Sequence, residues 1–301
     1  MDGQEFDLYF HRLRFDNECF RRTGTSFQSF FEDIMSRAQP TFVTVKPWGR
    51  DGDRKCDGII TETGTVFQVY APERIKVPET KAKIETDFEG AVEGWPDMRG
   101  WIFVWSALND GLPPELLQCL LTIQSGHPSL AIANWDREQL WKVVVEQLNN
   151  EQRVSLLGPV PRVESANATT AVEIQTVLNF LSDQPVGPEP DDSFDITDLK
   201  PKLEKNRLSP EIETLAGRAL PIAQEVERYV NGSYDGQLSS RVGSRLIARY
   251  RELTALGVSG DQAFIDLVDF STGDRGRPET FFWGAAGIVT YYFQICDIFE
   301  R

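Results

Sequence analysis

Between Thr25 and Val160 the sequence alternates short apolar runs with longer amphipathic runs, and this alternation limits the possible folds more than any other feature. The short runs predict strands because they are rich in β-branched and aromatic residues, as in TFVTV, TVFQVY and WIFVW. The longer runs predict helices: in SFQSFFEDIMSRA, Phe27, Phe31 and Ile34 fall on one side of a helix with about 3.6 residues per turn. Strands that alternate with helices predict an α/β domain with a mixed central sheet.

A different pattern follows Asp183–Asp195, an acidic, proline-containing segment that predicts a linker. From Ile196 to Arg301 the apolar spacing is helical throughout, and the last helix is strongly apolar, with the sequence GAAGIVTYYFQICDIFE. We therefore expect three parts: an α/β domain over residues 1–165, a helix and linker over 166–195, and an all-α domain over 196–301 that binds a partner.

Composition excludes several classes of protein. No apolar run approaches the roughly 20 residues that span a bilayer, and the first residues lack the pattern of an export signal, so we expect a cytoplasmic protein with no membrane segment. Four cysteines and two histidines stand far apart without the spacing of a zinc site. The net charge of −15 opposes extensive phosphate binding, so any contact with DNA should be local or aided by a partner.

The stretch GRDGDRKCDGIITETGTVFQVY predicts a hairpin that carries a candidate metal site. Asp57 begins one strand and Gln68 lies on the next, with a tight turn at Thr63-Gly64 between them. Phosphodiester hydrolysis uses a divalent cation held by oxygen ligands, and Asp57 and Gln68 can point at one ion if they share a face of the sheet. The alternative is structural, with Asp57 in an ordinary turn and Gln68 exposed on its strand.

Further groups complete the predicted site. We expect Glu32, on the preceding helix, and the backbone carbonyl of Val69 to hold Mg²⁺ or Mn²⁺ together with Asp57. Glu32 is equally compatible with the solvent face of its helix. The predicted DNA-binding residues are Arg50, Arg54 and Lys55, because basic residues concentrate just before Asp57 in an otherwise acidic chain.

The order Glu32, then GDRKCDG, then FQVY resembles the restriction-endonuclease-like fold in its Mrr-type variant. The resemblance implies a catalytic site of Glu32, Asp57 and Gln68, with Tyr70 at the position where that family carries a lysine. A phenol can hydrogen-bond but brings no positive charge to stabilise a developing negative charge.

A lysine on the next predicted helix, Glu79–Glu93, is a candidate substitute for the missing one. Lys81 shares a helical side with Ile84 and Phe88, so it can point inward and complete the catalytic set. The alternative is that Lys81 and its neighbour Lys83 are solvated residues of the first helical turns.

A second resemblance covers most of the chain from Thr25 onward. The segments FQVYAPE, KAKIETDFEGAVEGWPDM, WIFVWSALNDGLPPELL and LLGPVP resemble the nuclease-like component of ABC-three-component (Lamassu-like) anti-phage defence systems. KLEKNRLSPEIETLAGRA and YYFQICDIFE resemble the C-terminal helical domain of that component. The resemblance implies an endonuclease effector that acts on double-stranded DNA and stays silent until an ABC or SMC-like ATPase activates it. A small middle subunit is a further implied partner, as is a homo-oligomer on activation.

Two other hypotheses remain open at the level of sequence. The first is a degenerate nuclease fold that serves the same complex as a non-catalytic DNA-binding or scaffolding subunit, which Tyr70 and the acidic charge favour. The second is an interaction protein whose aromatic closing helix docks a partner.

Overall fold

The alternating pattern produces one mixed sheet in a computed structural model that describes residues 3–47, 53–106, 111–184, 198–273, 278–295 and 298–300. Its strands lie in the order of the chain: β1 (Phe42–Thr44), β2 (Gly58–Ile60), β3 (Thr65–Tyr70), β4 (Gly100–Trp105) and β5 (Ala131–Trp135). The first three strands are antiparallel neighbours, whereas β3, β4 and β5 run parallel. The mixed sheet confirms the predicted α/β class of the N-terminal half.

The other regular elements that the structure describes are helices. Those in the first half are α1 (Gly3–Arg21), α2 (Gly24–Ala38), α3 (Val77–Gly94), α4 (Pro114–Gly126), α5 (Arg137–Gln147) and α6 (Asn150–Leu157). The later ones are α7 (Val163–Asn167), α8 (Ala171–Ser182), α9 (Leu199–Lys205), α10 (Pro210–Gly232), α11 (Leu238–Ala255), α12 (Gly260–Thr272) and α13 (Glu279–Ile295). Within the described ranges, none of these helices has the length and apolarity needed to cross a membrane.

The two faces of the sheet pack against different helices because side chains alternate along each strand. On one face Phe67 of β3 meets Phe31 of α2, with ring centroids 5.4 Å apart. On the other face, α3 packs through Phe88 against Trp101 of β4, at 5.4 Å between centroids. Tyr70 lies in the same buried cluster as Phe88 and Trp101, so even-numbered residues of β3 point toward α3.

The chain divides into two compact units, one formed by Met1–Asn17 with Leu157–Arg301 and the other by Glu18–Leu156. This division differs from the expected parts at 1–165, 166–195 and 196–301. The first seventeen residues pack with the C-terminal helices because Arg14, 2% exposed at its side chain, forms two hydrogen bonds with Asp269 of α12. Its guanidinium also donates to the carbonyl oxygen of Pro159 at 2.6 Å. Most of the expected linker, from residue 185 onward, lies outside the described residues.

The closing helix forms the core of the helical unit. Residues on every side of α13 are buried, among them Phe282, Trp283 and Tyr292. The Trp283 indole donates to the Arg162 carbonyl oxygen at 2.8 Å, and the Tyr292 hydroxyl donates to the Ser239 carbonyl oxygen at 3.1 Å. These aromatic residues are therefore core of their own unit, and the hypothesis that the closing helix docks a partner through them is not supported by the structure.

Candidate active site

Asp57 lies immediately before β2, and both neighbouring strands hold its backbone. Its N–H donates to the carbonyl oxygen of Phe67 at 2.9 Å, and its carbonyl oxygen accepts from the N–H of Val45 at 3.3 Å. The register partner of Phe67 is Gly58, so Asp57 and Gly58 lie opposite one residue of β3, as in a β-bulge. A bulge redirects a side chain at the end of a ladder, and here the redirected side chain is the Asp57 carboxylate.

The Asp57 carboxylate faces β3 and is 6% exposed as a residue. Its Oδ2 accepts two hydrogen bonds, from Gln68 Nε2 at 2.7 Å and from the Val69 N–H at 2.6 Å. Asp57 and Gln68 therefore meet on adjacent antiparallel strands, as the spacing in the sequence predicts. Both bonds converge on Oδ2, so neither of them occupies Oδ1.

Two further oxygens near Asp57 can serve as ligands. The Gln68 Oε1 is buried and has no hydrogen-bond partner among the described residues, although burying an unpaired carbonyl oxygen is costly. The N–H and C=O of one strand residue point to the same lateral side. Because the Val69 N–H points at Asp57, its carbonyl points to that side as well.

Burial raises the pKa of Asp57 from its ordinary 3.8 to about 6. The hydrogen bond from the Val69 N–H acts in the opposite direction and stabilises the ionised form. Among nearby charges, Asp53 and Asp87 raise the pKa of Asp57, and Lys83 lowers it. The carboxylate is thus ionised at neutral pH but titrates close to it, as groups at functional sites often do.

Asp87 on α3 is a second buried carboxylate, and the sequence analysis did not identify it. Its side chain is 0% exposed, and its two oxygens pair with two lysines, Lys55 Nζ at 3.2 Å from Oδ1 and Lys83 Nζ beside Oδ2. A signal was present in the sequence: Asp87 stands on the same helical stripe as Ile84 and Phe88, where an apolar residue is expected.

The turn before Asp57 is held against α3. Arg54 and Lys55 both have left-handed backbone angles, with φ of 52° and 57°, and the Lys55 N–H donates to Asp53 Oδ1 at 2.9 Å. A Cβ on Gly90 would lie 2.6 Å from Lys55 Cγ, and one on Gly94 would lie 2.6 Å from Arg54 Cβ. Two glycines one helical turn apart therefore let the basic turn lie directly on the helix.

Glu32 takes part in a different set of contacts from the one expected. Its carboxylate pairs with Lys46, whose Nζ lies 2.8 Å from each oxygen, and accepts from Gln28 Nε2 at 3.0 Å. Its helix, α2, packs on the Phe67 face of the sheet, whereas Gln68 belongs to the face covered by α3. Of the predicted metal ligands, the structure brings together Asp57 and Val69 and joins Glu32 to Lys46 instead.

The remaining predicted residues fall into three places. Tyr70 packs in a tilted arrangement against Phe103 and Trp105 of β4, with centroids 6.1 Å away in each case, so its half-buried ring lies against the core. Lys81 is half exposed and lies 3.9 Å from Glu85, so it faces solvent rather than the site. The α3 lysine whose charge acts on Asp57 is Lys83. Arg54 is exposed on the turn, and Arg50 lies outside the described residues.

A metal site here would use few carboxylates. In the part of the chain that the structure describes, no group of three or more His, Cys, Asp or Glu side chains is arranged to hold an ion. The candidate oxygen ligands around Asp57 are one carboxylate, one carboxamide and one backbone carbonyl. That set fits Mg²⁺, which commonly binds through one or two carboxylates and keeps several waters or substrate oxygens.

Comparison with known proteins adds no relative: no family model matches the chain, and no curated protein and no solved structure matches it either. The functional argument therefore depends on the site itself.

Proposed function

We propose that the unit Glu18–Leu156 is a metal-dependent DNA endonuclease with a restriction-endonuclease-like fold. One observation carries the proposal: the Asp57 carboxylate is fixed by Gln68 and Val69 on the neighbouring antiparallel strand, while Gln68 Oε1 is buried and has no hydrogen-bond partner among the described residues. A buried oxygen without a hydrogen-bond partner needs an explanation, and a bound cation supplies one.

Asp57, Gln68 and the Val69 carbonyl would hold Mg²⁺ or Mn²⁺ in this site. Such an ion polarises a phosphate and lowers the pKa of a bound water. The protein's own groups prepare the site. The Val69 N–H and the Gln68 carboxamide fix the Asp57 carboxylate in one orientation, and the fixed hydrogen bonds need no reorganisation during reaction.

Lys55 and Lys83 supply the positive charge that Tyr70 lacks. Both ammonium groups lie on Asp87, and Lys83 acts electrostatically on Asp57. A phosphate at Asp57 would thus meet cationic side chains from two different elements, which favours binding of an anionic substrate at this position.

The wider context follows from the resemblance to ABC-three-component systems. In this proposal the chain is the effector of an anti-phage complex, silent until an ABC or SMC-like ATPase and a small middle subunit bring it to DNA. The net charge of −15 supports a requirement for partners, because a chain this acidic repels duplex DNA outside a local basic patch.

The test is cleavage of plasmid DNA with Mg²⁺ or Mn²⁺ in the presence of the ATPase partner. Asp57→Asn should lower the cleavage rate by about 100-fold or more, since the metal's contribution is several kcal/mol and each 1.36 kcal/mol is tenfold. Glu62→Gln is the matched control: it removes one negative charge from the exposed turn of the same hairpin and should leave the rate unchanged. Equal rates for the wild type and Asp57→Asn would refute the proposal.

A non-catalytic DNA-binding subunit is the second candidate, and the position of Tyr70 favours it. The ring packs against the aromatic side chains of β4, and a neutral phenol brings no positive charge to the site. This candidate predicts salt-sensitive DNA binding through Arg50, Arg54 and Lys55, and no cleavage by the wild type at any ratio of partner or metal.

A further inference from the structure

The burial of Asp87 requires an explanation. A carboxylate at 0% exposure on an otherwise apolar helical stripe is costly unless it is paired, and replacing such a group with a well-packed apolar residue is often neutral or stabilising. Asp87 is paired twice, with Lys55 from the turn before Asp57 and with Lys83 one helical turn earlier on α3. The carboxylate thus links two elements at the edge of the candidate site.

The charges of this cluster do not cancel. Lys55, Lys83 and Asp87 by themselves carry a net charge of one positive unit, and the ionised Asp57 beside them is counted separately. The carboxylate is buried, but the lysine side chains are 42% and 36% exposed, so the positive side of the cluster faces solvent. The left-handed turn and the two glycines of α3 hold Lys55 in this position.

We propose that Lys55 and Lys83, held on the buried carboxylate of Asp87, form a binding site for one backbone phosphate of DNA beside Asp57. The choice of a DNA phosphate rests on the proposed function, whereas the anion site itself follows from the cluster. A single net positive charge matches the single negative charge of a phosphodiester. The position of these two lysines explains how the site can work with Tyr70 where the resembled family has a lysine.

The charge balance gives a distinctive prediction for the loss of either lysine. With Lys83→Gln, the remaining Lys55 is neutralised by Asp87, and the whole phosphate contact is lost. The slope of log affinity for duplex DNA against log salt concentration should then become shallower by about 0.9. The gain in affinity between 1 M and 0.1 M salt would therefore be about eightfold smaller than in the wild type. Lys55→Gln should have the same effect.

Asp87→Asn should restore what Lys83→Gln removes. In the double variant Lys55 is no longer neutralised, so the net charge of the site returns to one positive unit and the salt slope returns to the wild-type value. The chain supplies a matched control on the same helix, because Lys81 and Glu85 have the same four-residue spacing but face solvent. Lys81→Gln should change the slope far less, and adding Glu85→Gln should restore nothing.

The measurement is fluorescence anisotropy of a short labelled duplex titrated with the full chain in EDTA, with thermal melting as a check on folding. Equal effects of Lys81→Gln and Lys83→Gln would overturn the proposal in favour of bulk charge, as would failure of Asp87→Asn to rescue. Inorganic phosphate that binds with the same lysine dependence, while duplex DNA does not, would overturn the assignment to DNA. The binding assay in EDTA does not depend on cleavage, so absence of cleavage in the separate assay with Mg²⁺ or Mn²⁺ would refute the nuclease and leave the binding result standing.

Discussion

Asp57 shows how one residue balances opposing forces. Burial disfavours its charged form, while the Val69 N–H and the nearby Lys83 favour it, and burial is the larger effect. A carboxylate whose pKa is raised by burial lowers the free energy of unfolding at neutral pH, because the unfolded chain ionises it more easily. The same property makes the group responsive to a cation, which favours the ionised form.

The pKa of Asp57 predicts the pH dependence of stability. The folded pKa, about 6, lies above the ordinary 3.8, so the folded state holds a proton that the unfolded state releases. The free energy of unfolding should therefore fall as pH rises from about 4 to about 6, by about 3 kcal/mol for a shift of this size. Urea denaturation at several pH values across this range measures this change in the free energy of unfolding.

Asp57→Asn should remove this contribution and leave the protein more stable than the wild type at pH 7. Glu62→Gln is again the control, because an exposed carboxyl should preserve the wild-type dependence. Parallel pH profiles for the wild type and Asp57→Asn would contradict the pKa of Asp57 given above.

At the scale of elements, α3 connects the sheet to the charged cluster. Its apolar side meets Trp101, its Asp87 holds two lysines, and its Gly90 and Gly94 admit the basic turn. One helix therefore both covers the face of the sheet to which Gln68 belongs and positions the groups beside Asp57.

The fit of the basic turn on α3 predicts the effect of Gly94→Ala. A new Cβ would lie 2.6 Å from Arg54 Cβ and 3.1 Å from its backbone oxygen, so the turn must shift. We expect a loss of about 1–3 kcal/mol in the free energy of unfolding, together with weaker DNA binding. Gly126→Ala is the matched control: it too ends a helix, but nothing lies within 4 Å, so stability should stay the same or rise. Equal melting temperatures would show that the turn does not rest on α3.

Sequence reasoning predicted the elements that depend on local spacing. The helix expected over Glu79–Glu93 is α3, and the turn expected at Thr63-Gly64 joins β2 to β3, with Gly64 at φ +67°. The facing of Asp57 and Gln68 followed from that turn.

What sequence reasoning missed depends on contacts between distant parts of the chain. The pairing of Glu32 with Lys46 and the outward position of Lys81 depend on which face each helix covers, and apolar periodicity does not specify that. Asp87 was missed because one of its two lysine partners, Lys55, lies more than thirty residues earlier in the chain.

At the scale of the whole molecule, the two units are made from the chain in different ways. The unit Glu18–Leu156 is one continuous segment, whereas the other combines Met1–Asn17 with Leu157–Arg301. Within the latter, the Arg14–Asp269 pair ties the first helix to α12, and Tyr9 hydrogen-bonds Ser209 at 2.9 Å. The first segment is thus an integral part of the helical core.

This division predicts how fragments behave. The fragment 157–301 alone should lack a cooperative thermal transition, because removal of Arg14 breaks its buried ion pair with Asp269, at a cost of about 3–5 kcal/mol. Adding a peptide of residues 1–17 should restore the transition, and the same peptide with Arg14→Ala should not. The fragment 18–156 should melt cooperatively by itself. Circular dichroism measures the transition of all four samples, and cooperative folding of 157–301 alone would contradict the division.

The discontinuous unit has a consequence for synthesis on the ribosome. Domains fold as their segments emerge, and residues 18–156 emerge complete while Asp269 has not yet been translated. Arg14 is translated long before Asp269, so residues 1–17 must wait for the α12 segment before this buried ion pair can form. The segment with Asp57 and Asp87 can therefore fold on the nascent chain well before the helical unit does, and the chain's own translation sets the order in which its two parts mature.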